Sequence, residues 1–226
     1  MMHQISETTQ NLLDQYLELV LEANKKINLT RIDSIEQARV LHLEDSLSAL
    51  KEIMEAPQGL YGDLGTGGGF PGIPLAIVTG RDTVLVDSVQ KKIKVLDDIV
   101  AQLGLSAQIT SFAGRIEDLA LVQKNSFSLL TARALSQLNS LLELASPLLR
   151  KHGRLVCYKA HVSDEELALA ADLESMLGMK LISRRSFTLS DDLTYREILV
   201  YEKVSHPRIK LPRRVGLAQK KPLTAR

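Results

Sequence analysis

The residues best suited to chemistry in this chain run from Gly62 to Gly72, GDLGTGGGFPG, between an apolar strand start at Leu60-Tyr61 and an apolar, helix-like run from Ile73 to Val78. A strand, a glycine turn and a helix bring bare backbone N–H groups up to a ligand. Glycine spacing then selects the ligand. A dinucleotide fingerprint needs glycine at the first, third and sixth positions of G-x-G-x-x-G, and counted from Gly65 the sixth position is Phe70. Gly65, Gly67 and Gly69 give G-x-G-x-G instead, which disfavours a nicotinamide oxidoreductase. Twenty residues beyond Gly67, the apolar run Thr83 to Val86 ends at Asp87. A carboxylate there can accept hydrogen bonds from both hydroxyls of a ribose. For the glycine triplet alone a plain strand-to-helix turn is the alternative, and Asp87 at this separation tips the balance towards a nucleoside ligand. Asp63 is better placed to hold the loop by accepting backbone N–H bonds than to act as a base.

The loop together with Asp63 and Asp87 resembles the S-adenosylmethionine loop of Rossmann-like methyltransferases. Bulk composition agrees with an enzyme of ordinary size: 226 residues, 45% of them hydrophobic, suffice for one substantial core and an appendage. No apolar segment approaches the ~20 residues that span a bilayer, and the start, MMHQISETTQ, has no signal-peptide pattern. The expected location is therefore cytoplasmic, without a membrane partner. The single cysteine, Cys157, lies in the apolar run Arg154 to Tyr158 and is expected to be an inert core thiol. Five scattered histidines form no ligand spacing, so no metal is expected.

The net charge of +1 hides an asymmetry. From Lys203 onwards there are eight basic residues and no acid, leaving 20 basic against 27 acidic residues before them. Such a tail binds phosphates and releases counterions, or is simply a solvated terminus. Proline at 207, 212 and 222 argues against regular helix there.

Three parts are expected: an N-terminal helical extension over 1–58, a cofactor-binding domain over 59–204, and a basic, flexible tail over 205–226. Leu12, Tyr16, Leu19 and Ala23 recur at helical spacing, with the helix ending near Asn24; a second helical stretch spans His42 to Met54. After Leu60, strands and helices alternate. Helices are expected at about Val89–Leu103, from Leu138 through Leu149, and at Asp164–Leu177; strands at Ala107–Phe112, Phe127–Leu130 and Arg154–Tyr158. Alternation of this kind implies a parallel sheet covered on both faces. Met179–Leu189 and Thr194–Lys203, parted by Ser190-Asp191-Asp192, form a terminal antiparallel hairpin. The expected fold is α/β and Rossmann-like, with a mostly parallel seven-stranded sheet.

The resemblance narrows on several segments taken in order: Asn24-Lys25-Lys26-Ile27-Asn28-Leu29-Thr30, His42 with Asp45-Ser46, the glycine loop through Pro74, Asp87-Ser88, Thr131-Ala132-Arg133-Ala134, and Pro212-Arg213-Arg214 through Lys220-Lys221-Pro222-Leu223. Together they resemble the ribosomal RNA small subunit methyltransferase G family, also called glucose-inhibited division protein B. The resemblance implies methyl transfer from S-adenosylmethionine to N7 of a guanine in the 530 loop of 16S ribosomal RNA, on RNA or on the small ribosomal subunit. It implies cofactor contacts at Gly65, Phe70, Ile116, Glu117 and Arg133, which join Gly67, Gly69 and Asp87 of the glycine-and-carboxylate pattern as candidates for the cofactor site, and basic positions near the methyl donor at Lys91, Arg133 and Lys159. Arg133 and Lys159 are the candidates for the reacting region, and Lys91, Lys159, Arg213, Arg214, Lys220 and Lys221 the candidates for RNA. The chain departs from the family pattern at Leu41, Gly68, Ala160 and Leu217-Ala218. His42 is expected to be a packed histidine. Two other functions fit parts of the pattern: a methyltransferase of the same fold acting on a small molecule or protein, and a non-catalytic RNA-binding module.

Overall fold

A computed structural model describes residues 5–224; the first four residues and Arg226 of the basic tail lie outside the described residues. Helix α1 (Glu7–Asn24) is capped by Ser6, whose hydroxyl accepts the Thr9 N–H. Then come α2 (Ile35–Ala38), a π-helical turn (Arg39–Glu44), α3 (Asp45–Leu47) and α4 (Leu50–Met54). The helical stretch expected from His42 therefore begins earlier, at the Ser34 cap. It is also broken, because the π turn rotates His42 and Asp45 into the protein, where both are buried.

From Tyr61 the chain alternates: β1 (Tyr61–Leu64), α5 (Gly72–Thr79), β2 (Thr83–Asp87), α6 (Gln90–Gln102), β3 (Ile109–Ala113), α7 (Ile116–Val122), β4 (Phe127–Arg133), α8 (Leu138–Ala145), β5 (Leu149–Lys159) and α9 (Asp164–Leu177). The hairpin β6 (Met179–Thr188) and β7 (Tyr195–Lys203) and the short α10 (Leu217–Lys220) complete it. Strand order is β3-β2-β1-β4-β5-β7-β6, with β7 antiparallel to both β5 and β6 and every other pair parallel. This is the expected Rossmann-like sheet. One boundary differs: α8 ends at Ala145 rather than running through Leu149, because Pro147 has no N–H to continue it, and Leu149 already belongs to β5.

The central strands are buried on both faces, which is why they read as continuous apolar runs. On one face Leu64, Val86, Leu130 and Cys157 pack under α7, α8 and α9. On the other, Leu13, Tyr16, Leu17 and Val20 of α1 share a core with Ile73, Leu85 and Leu96 of α5, β2 and α6. The N-terminal helix thus has its apolar stripe against the sheet layer. Cys157 is fully buried and burial pushes its thiol up to about 12, as an inert thiol requires.

Candidate active site

The carboxyl ends of β1, β2 and β4 converge on the glycine loop, where a doubly wound sheet opens a crevice. The N–H groups of Gly65 and Thr66 both donate to the Val86 carbonyl, at 2.8 and 2.9 Å, folding the loop back over β2. That path needs φ of +71° at Gly65, +58° at Gly67 and +90° at Gly69, a region L side chains rarely enter. Space is denied as well: a Cβ on Gly65 would lie 2.7 Å from Leu135 Cδ1, and one on Gly69 would run into the Tyr16 hydroxyl. At Gly67 the nearest atom to such a Cβ would be 3.9 Å away. The loop is therefore open on that side, and a side chain would project into the cavity that a ligand needs.

Two carboxylates fix the loop. Buried Asp63 accepts the Thr66 hydroxyl (2.6 Å) and the Gly72 N–H (3.0 Å) on Oδ2, and the Thr131 hydroxyl (2.7 Å) on Oδ1. Burial raises its pKa, and the same hydrogen bonds and Arg133 oppose the rise. Asp87 accepts the Gly67 N–H on Oδ2 (2.9 Å) and the Val89 N–H on Oδ1 (2.8 Å). Each oxygen keeps a further lone pair for a hydroxyl.

The cavity beside the loop measures about 350 Å³ and is bounded by Gly67, Asp87, Ile116, Glu117, Arg133 and Gln219 among others. Phe70 is buried in its wall. The His42 ring stacks on it with centroids 4.3 Å apart, Tyr16 tilts against it at 5.1 Å, and the Arg133 guanidinium carbon lies 5.6 Å from its centroid. Tyr16 also donates its hydroxyl to the Gly68 carbonyl at 2.7 Å, so α1 braces the loop from behind. The Asn24-to-Thr30 segment has a matching purpose: Asn24 Oδ1 accepts the N–H groups of Leu29 and Thr30, and Thr30 Oγ1 lies 2.7 Å from His42 Nε2. His42 Nδ1 lies 3.2 Å from the Leu41 carbonyl, which can only accept, so Nε2 is the nitrogen that accepts from Thr30. Burial, reinforced by Arg133, lowers the His42 pKa to about 4.

A second cavity, about 480 Å³, shares the wall His42, Arg133, Ala134 and Leu135 with the first. Its polar lining is ionic. Asp45, 1% exposed, receives Arg133 on Oδ2 and Arg196 on Oδ1, each at 3.0 Å. Lys159 Nζ is held by Glu166 at 2.8 Å and donates to the Ser136 carbonyl at 3.2 Å.

The expected residues separate into groups. Gly65, Gly67, Phe70, Asp87, Ile116, Glu117 and Arg133 all border the first cavity, while Gly69 shapes the loop from within the core. Lys159 borders the second. Lys91 is exposed on α6, and its neighbour Lys92 is the lysine that borders the first cavity.

Within residues 205–224, where composition suggested a flexible tail, some side chains pack against the fold and others are exposed. Leu211 and Ala218 are buried, and the Ser140 hydroxyl donates to the Ala218 carbonyl at 2.6 Å. Arg213, a candidate for RNA, forms a two-pronged pair with buried Glu143, at 2.7 and 2.6 Å, and supplies the countercharge which that carboxylate needs. Lys203 is also internal, held by Ser146, and burial lowers its pKa to about 8. Arg214, Lys220 and Lys221 remain exposed. The residues that sequence reasoning missed are Tyr16, Arg196 and Gln219. Only Tyr16 carried a signal, a polar tip on an otherwise apolar stripe.

A sequence model of the family described as rRNA small subunit methyltransferase G (GidB) matches residues 9–194. A ribosomal RNA small subunit methyltransferase G from Clostridium novyi is 35% identical over 213 residues, 92% of this chain and 87% of that protein. One from Oenococcus oeni is 35% identical over 225 residues, 97% of this chain and 91% of its own. Among solved structures, the [4+2]-cyclase SpnF superposes with a TM-score of 0.57 at 13% identity, covering 71% of this chain and 81% of that one. Geranyl diphosphate C-methyltransferase from Streptomyces coelicolor, solved with S-adenosyl-L-homocysteine, gives 0.56 at 12% identity, covering 70% and 78%. At these identities the solved structures bear on the fold alone.

Proposed function

Because this chain belongs to the rRNA small subunit methyltransferase G family, we propose that it transfers a methyl group from S-adenosylmethionine to N7 of one guanine in the 530 loop of 16S ribosomal RNA, presented by the RNA or by the small ribosomal subunit. The observation that carries this reading is the shared wall. A cavity fitted to a nucleoside meets a second, cation-lined cavity along His42 and Arg133.

The residues present fit the cofactor. Gly67 leaves the loop open where a side chain would fill the cavity, Asp87 retains acceptor capacity for ribose hydroxyls, and Ile116 and Glu117, whose N–H groups belong to the first turn of α7, border the same space. Bound there, S-adenosylmethionine supplies a methyl group already activated by its sulfonium. Guanine N7 carries a lone pair and no proton, so the protein need not supply a base. The site agrees with that economy: Asp45 is engaged by two guanidinium groups, and His42, with a pKa near 4 and its Nε2 occupied, is a poor proton acceptor at neutral pH. What remains for the side chains is orientation, which can lower a barrier by roughly 7–11 kcal/mol. Arg133 and Lys159 serve it by presenting cations to phosphate or to the guanine O6 edge.

The test uses small subunits from cells lacking the gene, incubated with the purified protein and S-adenosylmethionine, then treated with borohydride and aniline and read by primer extension. A new stop in the 530 loop is expected. Cofactor binding without any stop on subunits or deproteinised RNA would overturn the assignment of target and atom.

A further inference from the structure

Lys159 is the last residue of β5 and borders the second cavity, and its ammonium is fixed from two sides. Nζ donates to the Ser136 carbonyl at 3.2 Å, in the linker between β4 and α8, and to Glu166 Oε1 at 2.8 Å. An ammonium has three N–H donors. With two of them engaged, one is left for whatever enters the cavity.

Glu166 itself borders neither cavity. It stands in the first turn of α9, where the Ser163 hydroxyl caps its N–H at 3.1 Å. Its carboxylate is fixed in turn, because Oε1 also accepts the N–H of Leu138, the first residue of α8, at 2.7 Å. One oxygen thus ties the end of β5 to the N-terminal ends of two helices, where a negative charge is favoured. The pair is well covered: the Lys159 and Glu166 side chains are 15% and 16% exposed, against 72% and 58% for Lys25 and Glu22 on the surface of α1. Water and rotamer freedom loosen an exposed pair of that kind. A covered pair whose carboxylate has a second donor restrains its lysine.

We infer that Glu166 is a positioning residue for methyl transfer, which through Oε1 holds the Lys159 ammonium, with its one uncommitted N–H, at the cavity that receives the RNA nucleotide. The inference rests on the function proposed above. It gives a task to a carboxylate that neither the glycine pattern nor the family resemblance singled out.

Steady-state methyl transfer to small subunits from cells lacking the gene tests it with two single variants and their combination. Glu166→Gln keeps an acceptor for the Leu138 N–H and removes the charge that draws Lys159. It should lower the maximal rate about fivefold, roughly the difference between a charged and a neutral hydrogen bond, with little change in the KM for subunits and unchanged affinity for S-adenosylhomocysteine. In a Lys159→Ala background the same substitution should lower the rate less than about twofold, because its partner is gone. An equal fall in both backgrounds would make Glu166 a support of the helix ends and overturn the inference. A Glu166→Gln enzyme as fast as wild type would overturn it too. A wild type that methylates no subunit would instead overturn the function proposed above, and the inference with it.

Discussion

The two cavities sit on either side of Arg133 and are built on different physics. The first is shaped by backbone: positive-φ glycines, N–H groups turned by Asp63 and Asp87, and an aromatic brace from Tyr16, Phe70 and His42. The second is shaped by long side chains in ion pairs, Arg133 and Arg196 on Asp45 and Lys159 on Glu166. A cofactor presents the same outline at every turnover, so a rigid mould suits it. On the proposed function the second cavity takes a nucleotide of the RNA and releases it again, which suits pairs whose members can exchange a carboxylate for a phosphate.

If the first cavity is a rigid mould, Gly69→Ala should break it most severely. The added methyl needs an unfavourable φ and the space of the Tyr16 hydroxyl and of Ile73 Cδ1, 2.9 Å away. A loss of about 2–4 kcal/mol in urea unfolding is expected, together with loss of S-adenosylhomocysteine binding. The ionic cavity should respond differently. Asp45→Ala leaves two guanidinium groups facing each other, and a stability loss of about 3 kcal/mol is expected. Calorimetry should find cofactor affinity much less affected than in Gly69→Ala, and equal losses would show that the cavities are not mechanically separate.

Acid should probe the shared wall. His42 has a folded pKa of about 4 against an ordinary 6.5, so the unfolded chain binds the extra proton as pH falls between those values. Its contribution is complete above pH 6.5 and is lost on the way down to 4. About 2 kcal/mol should disappear between pH 7 and 5, and His42→Gln should flatten that slope in denaturant titrations. Smaller effects belong to RNA. Lys159→Ala should lower methyl transfer to small subunits by about tenfold with unchanged affinity for S-adenosylhomocysteine. Lys91→Ala should only raise the RNA KM by a few-fold, roughly the effect of one phosphate contact. A fall in maximal rate instead would move Lys91 from binding to chemistry.

The glycine spacing, Asp87 and the alternation of strand and helix were legible in sequence because each is a local consequence of backbone geometry. G-x-G-x-G states where φ must be positive, and an apolar run ending in Asp states where a strand meets the crevice. The contacts of the tail were not legible because composition reports charge and not its partner. Arg213 reads as a free cation until Glu143, 70 residues earlier, is placed beside it.

By itself, then, the sequence determined the sheet, the glycine loop and the family, all of which depend on periodicity and short-range spacing. Only the tertiary structure decided that α1 braces the loop through Tyr16, that Asp45 is shared by Arg133 and Arg196, and that the basic tail is tied down through Gly216 on Glu117 and Arg213 on Glu143. Those contacts join residues 52 to 151 positions apart, and a pairing over such separations is set by how layers pack rather than by any local preference of the chain.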